Sequence, residues 1–128
     1  WMRGAVLNAA RAAGVQAIDT VFSDVNDMEG LLVSVREAKA LGFDGKGCIH
    51  PRQIAVVHEG FAPDEKSIEK AKKIVLAFDE AQRQGLGVVS LGSKMIDPPV
   101  VKRAQRTIDL ALRSGILNEG WKEEAHEG

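Results

Sequence analysis

A short segment rich in Val and Ile, Gln16–Phe22, and a second short strand-like stretch, Lys46–Ile49, enclose residues whose apolar positions recur at Leu31, Leu32, Val35, Ala38 and Leu41. Spacing of three to four residues is that of one helix face. Asp27 stands where an N-cap is needed and Gly42 where a helix stops. Strand, helix and strand in that order make a βαβ unit, which demands parallel pairing and a right-handed crossover. Two parallel strands leave both faces and both edges of their sheet uncovered. We therefore expect this unit to complete a larger sheet.

The flanking segments read as helices. Arg3–Ala13 is amphipathic and ends at Gly14. Pro51 stops the second strand and opens a short helix carrying Ile54 and Val57. After Phe61-Ala62-Pro63-Asp64 a long helix begins, with Ile68, Ala71, Val75 and Phe78 on one face, and it ends at Gly85. Val88–Leu91 and Lys94–Ile96 flank Gly92-Ser93, a pair suited to a primed hairpin turn. Asp97-Pro98-Pro99 opens a last helix with Val100, Val101, Ala104, Ile108 and Ala111, closed near Gly115. The tail from Asn118 is polar apart from Trp121 and should fray unless that indole docks.

Composition narrows the partners. With 17 basic and 18 acidic residues the charge nearly cancels, and no basic stripe interleaved with aromatics offers itself to nucleic acid. Cys48 is the only cysteine, so an internal disulfide and a multi-cysteine zinc site are excluded, and a reducing, cytoplasmic setting is expected. No stretch is long and apolar enough to span a membrane. A tryptophan standing first, already inside a helical pattern, leads us to expect further chain upstream.

Read in order, Ala17-Ile18-Asp19-Thr20-Val21-Phe22-Ser23-Asp24, Asp27-Met28-Glu29-Gly30-Leu31, Leu41-Gly42-Phe43-Asp44-Gly45-Lys46 and Ile49-His50-Pro51-Arg52-Gln53-Ile54 resemble the last two βα units of the citrate lyase β-subunit and malyl-CoA lyase family. Phe61-Ala62-Pro63 with the long helix, then Lys94-Met95-Ile96-Asp97 with its closing helix, resembles the C-terminal lid of that family. The run from Met95 to Leu110 is most similar to the malyl-CoA lyase branch. The resemblance implies an α/β fold: residues 1–60 as the last βα units of a (β/α)8 TIM barrel and residues 61–128 as a helical lid with a β-hairpin. It also implies a Mg2+-dependent carbon-carbon lyase that splits malyl-CoA-like thioesters into an acyl-CoA and a 2-oxo acid such as glyoxylate. Such an enzyme is a homo-oligomer, a trimer or a hexamer. Its metal ligands, a Glu and an Asp on middle strands, would precede Trp1, so no metal ligand is assigned here. The chain alone, without the N-terminal part of its barrel, should then be inactive. A malyl-CoA or citramalyl-CoA thioesterase or synthase on the same scaffold is the enzymatic alternative. A non-catalytic assembly module is the other.

Two readings compete at each candidate residue. Ile49 and His50 end the second strand, and barrel active sites form at such ends. On residues alone Ile49 is core and His50 caps a turn; the resemblance makes both substrate-binding, bordering the CoA-bearing substrate. Asp97 before two prolines is an ordinary N-cap, worth about 1 kcal/mol. The resemblance makes it the lid aspartate, a catalytic acid or base reaching into a neighbouring subunit's site. Asp19, Asp24, Asp27 and Glu29 could suggest a hard-cation site, but Asp27 is better placed as a cap and Glu29 at the positive end of the same helix. Asp19 is kept as a residue that orients active-site groups. Lys46 is read as structural, His58 and His126 as surface residues, and Cys48 as a small buried hydrophobe.

Overall fold

A computed structural model of the protein describes residues 1–87 and 89–126. Val88, expected in the first hairpin strand, and the side chain of His126, read as a surface residue, lie outside the described residues. The chain forms two compact units, Trp1–Phe61 and Ala62–Gly128.

In the first unit, α1 (Met2–Ala13), β1 (Ile18–Asp19), α2 (Met28–Leu41), β2 (Gly45–Lys46) and α3 (Arg52–Phe61) follow in order. β1 and β2 pair in parallel, Ile18 with Gly45 and Asp19 with Lys46, as the βαβ pattern requires. Asp27 caps α2 by accepting the Gly30 N–H at 2.9 Å. Gly42, at φ 107°, ends it in a left-handed conformation that only glycine adopts cheaply. Leu31, Val35 and Ala38 are the buried stripe of α2, whereas Leu32 is half-buried and Leu41 is exposed, so the core-facing face is narrower than expected. Val35 and Leu31 pack on Val57 of α3, while Ala38 joins Ala17 and Phe43 in a second cluster reached by Leu7 of α1. Each fully buried Leu or Val in such a cluster contributes roughly 1.5–3 kcal/mol. Arg11 of α1 donates to both carboxylate oxygens of Asp44 at 2.8 and 3.1 Å, and Asp44 also accepts the Ala17 N–H at 2.8 Å, fastening α1 to the start of β1.

Both strands are shorter than the sequence pattern predicts. β1 occupies two residues of the expected Gln16–Phe22, and β2 ends at Lys46 instead of Ile49. Local side-chain chemistry explains the difference. Gly47 N–H still donates to Asp19 O at 3.0 Å, but the next available amide, Ile49 N–H, goes to the side chain of Gln53 at 2.9 Å instead of to a strand. Cys48, expected to be buried, is exposed for the same reason: it sits where the chain has already left the ladder.

The second unit holds α4 (Glu65–Arg83), β3 (Val89–Leu91), β4 (Lys94–Ile96), α5 (Pro98–Arg113) and α6 (Trp121–His126). The hairpin strands pair antiparallel and share no sheet with β1 and β2. Among the turn residues Gly92 alone has positive φ, 62°, the type II′ signature with glycine first. Ala71, Ile74 and Val75 of α4 and Val101, Ala104 and Ile108 of α5 form one core with Val89, Ile96 and Trp121. Among the described residues the tail is docked: Trp121 is 5% exposed, and Lys122 of the same short helix bonds Asp79 of α4 at 2.7 Å.

Candidate functional site

The loops that leave β1 and β2 run side by side, and one side chain joins them. Gln53, at the start of α3, is 1% exposed. Its Oε1 accepts the Ile49 N–H at 2.9 Å and its Nε2 donates to Phe22 O at 2.9 Å, while its own backbone N–H donates to His50 O at 3.0 Å. A buried amide is tolerated because both ends are satisfied. Sequence reasoning passed over Gln53. The signal was present: a polar residue on the stripe Gln53, Val57 and Gly60 that α3 buries.

The clamp presents Ile49 and His50 at the surface. Ile49 is 53% exposed, against the core reading, and Ile18 and Val21 are exposed as well. The opposite side of the sheet is buried, with Ala17, Asp19 and Lys46 all shielded from solvent. His50 Nδ1 accepts the Arg52 N–H at 3.2 Å, the turn-capping role read from the sequence. A neutral ring fixed this way carries its proton on Nε2, which can donate to an oxygen of a bound molecule. Arg52 Nη1 donates to Asn26 Oδ1 at 3.3 Å, adding a second tie across the two loops.

Asp19 belongs to a different arrangement. Its carboxylate receives Lys46 Nζ at 3.1 Å and the Arg3 guanidinium at 2.8 and 3.2 Å, and Arg3 also reaches Glu37 at 3.1 Å. Burial alone would raise the Asp19 pKa. The hydrogen bonds from Lys46, Arg3 and the Thr20 backbone together outweigh burial and hold the carboxyl below its usual value. Fully engaged by structural partners, Asp19 and Lys46 read as a fastening between the strands and α1.

Asp97 caps α5, its Oδ1 accepting the Val100 N–H at 3.0 Å, and the residue is exposed. It lies in the second unit, and Ile49 and His50 lie in the first. A groove of about 300 Å³ between α4 and α5, lined by Lys70, Ile74, Arg103 and Thr107 among others, contains none of the three. Among the described residues no three His, Cys, Asp or Glu side chains converge to hold a metal ion, and Asp24, Asp27 and Glu29 form no such group. No helix of the described residues is long and apolar enough to cross a membrane.

Comparison with known proteins gives a consistent pattern. Residues 2–51 match the family model described as HpcH/HpaI aldolase/citrate lyase. The chain is 53% identical over 119 residues to the citrate lyase subunit beta of Haemophilus influenzae, covering 93% of this chain and 40% of that protein. It is 45% identical over 111 residues to the mitochondrial citramalyl-CoA lyase of Homo sapiens, covering 87% of this chain and 33% of the relative. Among solved structures it is similar to the protein CitE of Mycobacterium tuberculosis in complex with magnesium, acetoacetate and coenzyme A. The TM-score there is 0.67 with 36% identity, over 85% of this chain and 39% of that one. A citrate lyase of Burkholderia xenovorans shares the fold at TM-score 0.68 and 24% identity, over 88% of this chain and 35% of that one. The chain thus spans about 40% or less of the length of the relatives it matches.

Proposed function

We infer, from the premise that the chain belongs to the HpcH/HpaI aldolase/citrate lyase family, that it is the C-terminal portion of a carbon-carbon lyase acting on a 3-hydroxyacyl-CoA thioester. The observation that carries this reading is the 45–53% identity to both a citrate lyase β subunit and a citramalyl-CoA lyase along almost the whole chain. Residues 1–60 are proposed as the last two βα units of a barrel and residues 61–128 as its lid. The exposed Ile18 of β1, with Val21 and Ile49 in the loops that follow the strands, supports the barrel reading, because a group of apolar side chains left in water beside a sheet is an incomplete core.

In the proposed reaction the bond between the hydroxyl-bearing carbon and the carbon next to the thioester breaks. The hydroxyl proton passes to a base, and the electron pair remains as the enolate of the departing acyl-CoA until that carbon is protonated. A 2-oxo acid is the other product. Ile49 and His50 would border the thioester, with Ile49 giving apolar contact and His50 Nε2–H donating to the carbonyl oxygen as it gains charge. Asp97 would be the acid or base, acting in the site of a neighbouring subunit of a trimeric or hexameric homo-oligomer. Its cap uses Oδ1, which leaves the carboxylate a second oxygen for that work. Mg2+ belongs to this reading on the similarity to the CitE structure in complex with magnesium, and no described residue is assigned to hold it. By the same reading the isolated chain turns over no acyl-CoA.

For the substrate we propose a thioester of the malyl-CoA type, with glyoxylate as the oxo acid, on the similarity of Met95 to Leu110 to that branch. Product analysis on the full-length enzyme tests the whole reading. Acyl-CoA and a 2-oxo acid formed together, in a Mg2+-dependent way, is the expected result. Free CoA with an intact hydroxy acid would mean a thioesterase instead, and no turnover of malyl-CoA or citramalyl-CoA would leave an assembly module.

A further inference from the structure

We propose that Gln53 is a positioning residue for thioester binding: by bridging the loops that follow β1 and β2 it sets the place of Ile49 and His50. The proposal rests on the reading that those two residues border the thioester.

The ladder between the strands closes at Asp19 and Lys46, with Gly47 N–H to Asp19 O as its last bond. Beyond that point no backbone pair joins the two loops; the joins are side chains, Gln53 to Phe22 O at 2.9 Å and Arg52 to Asn26 at 3.3 Å. Of the two, only Gln53 is buried, at 1% exposed, and only Gln53 also holds Ile49 N–H and His50 O. The amide has one productive orientation. Exchanging its oxygen and nitrogen would set a donor against the Ile49 N–H and an acceptor against the Phe22 carbonyl. The side chain therefore sets the height of Ile49 above the sheet, and the backbone N–H of the same residue, on His50 O, closes the turn in which Arg52 N–H pins His50 Nδ1. Gln53→Met keeps an unbranched side chain of similar length on the stripe that α3 buries with Val57 and Gly60, so the packing there is largely retained. The effect should therefore be local to the loops.

The test compares Gln53→Met, Gln53→Glu and His50→Ala in the full-length enzyme. Gln53→Met keeps the length of the side chain and removes both bonds. It should raise KM for the thioester roughly tenfold or more, with kcat changed by less than about threefold, the expected size for one or two lost hydrogen bonds in a binding loop. Hydrogen exchange at the Ile49 amide should accelerate by a similar factor. Gln53→Glu keeps the acceptor for Ile49 but sets a buried carboxylate oxygen against the Phe22 carbonyl, so its KM should also rise. Thioester KM unchanged in both Gln53 variants while His50→Ala raises it would overturn the positioning role and leave the binding site standing. KM unchanged in all three, including His50→Ala, removes the binding site and the positioning role together. Loss of kcat and stability without a KM change would make Gln53 a fold residue only.

Discussion

Lys46 Nζ lies 3.1 Å from Asp19 Oδ2, and the two residues are Cα partners in the parallel register of β1 and β2, both side chains almost wholly buried. The pair is unequal. Asp19 has a second cation in Arg3, whereas Lys46 donates to no other side chain among the described residues. Removing Asp19 therefore leaves a buried ammonium without a partner, and removing Lys46 leaves a carboxylate still held by Arg3. We predict that Asp19→Ala destabilises the protein by about 3–5 kcal/mol and Lys46→Met by clearly less, measured by denaturant unfolding. Equal losses would show that Arg3 contributes nothing to the pair.

The same carboxyl makes stability pH-dependent. Its folded pKa is lowered, so the unfolded chain binds a proton more readily. The contribution is complete above the unfolded value of about 3.9 and is lost as pH falls through the lower folded value. Asp19→Asn should flatten the acid limb of the stability curve below about pH 4, and an unchanged limb would contradict the assignment.

Gly60 sets how closely α3 approaches α2. A methyl group there would stand 2.9 Å from the Val35 Cβ and closer still to Cγ1, in a position where the branched side chain cannot rotate away. Gly60→Ala gains about 1 kcal/mol of helix propensity but overpacks the contact by roughly 1–3 kcal/mol. A net loss of stability is expected, and Val35→Ala in the same background should recover part of it. A stabilised single variant would mean that the helices have room to separate.

Trp121 and Trp1 should report opposite environments. Trp121 is buried against α4 and α5, and Trp1 is 98% exposed. With Trp1 replaced by Phe, the remaining fluorescence should be blue-shifted and poorly quenched by iodide. Trp121→Ala should cost about 3–5 kcal/mol. A red, readily quenched spectrum would show that the tail is frayed after all.

Asp97→Asn separates capping from chemistry. Asn caps about as well as Asp, so stability should change by well under 1 kcal/mol. In the full-length oligomer turnover should fall by roughly two to four orders of magnitude with KM within several-fold. Mixing this variant with one lacking an upstream metal ligand should restore partial activity if the residue acts between subunits. Near-normal turnover would leave Asp97 a cap only.

Helix positions were legible because caps and stripes are local. Asp27, Gly42 and Asp97 each act on a backbone group within four residues, and Val35 and Ala38 show their face by spacing alone. The parallel pairing of β1 and β2 was legible too, since one helix between two strands permits little else.

What tertiary structure alone decided lies in pairs far apart in the chain. Lys46 meets Asp19 and Gln53 meets Phe22 O across 27 and 31 residues. No periodicity encodes such distances, because a hydrogen bond depends on where folding brings two groups and not on their separation in sequence. For that reason strand ends, the exposure of Cys48 and Ile49, and the docking of Trp121 escaped the one-dimensional pattern. Residue type and spacing determine which elements form; competition for each buried donor and acceptor, settled only in three dimensions, decides where they stop.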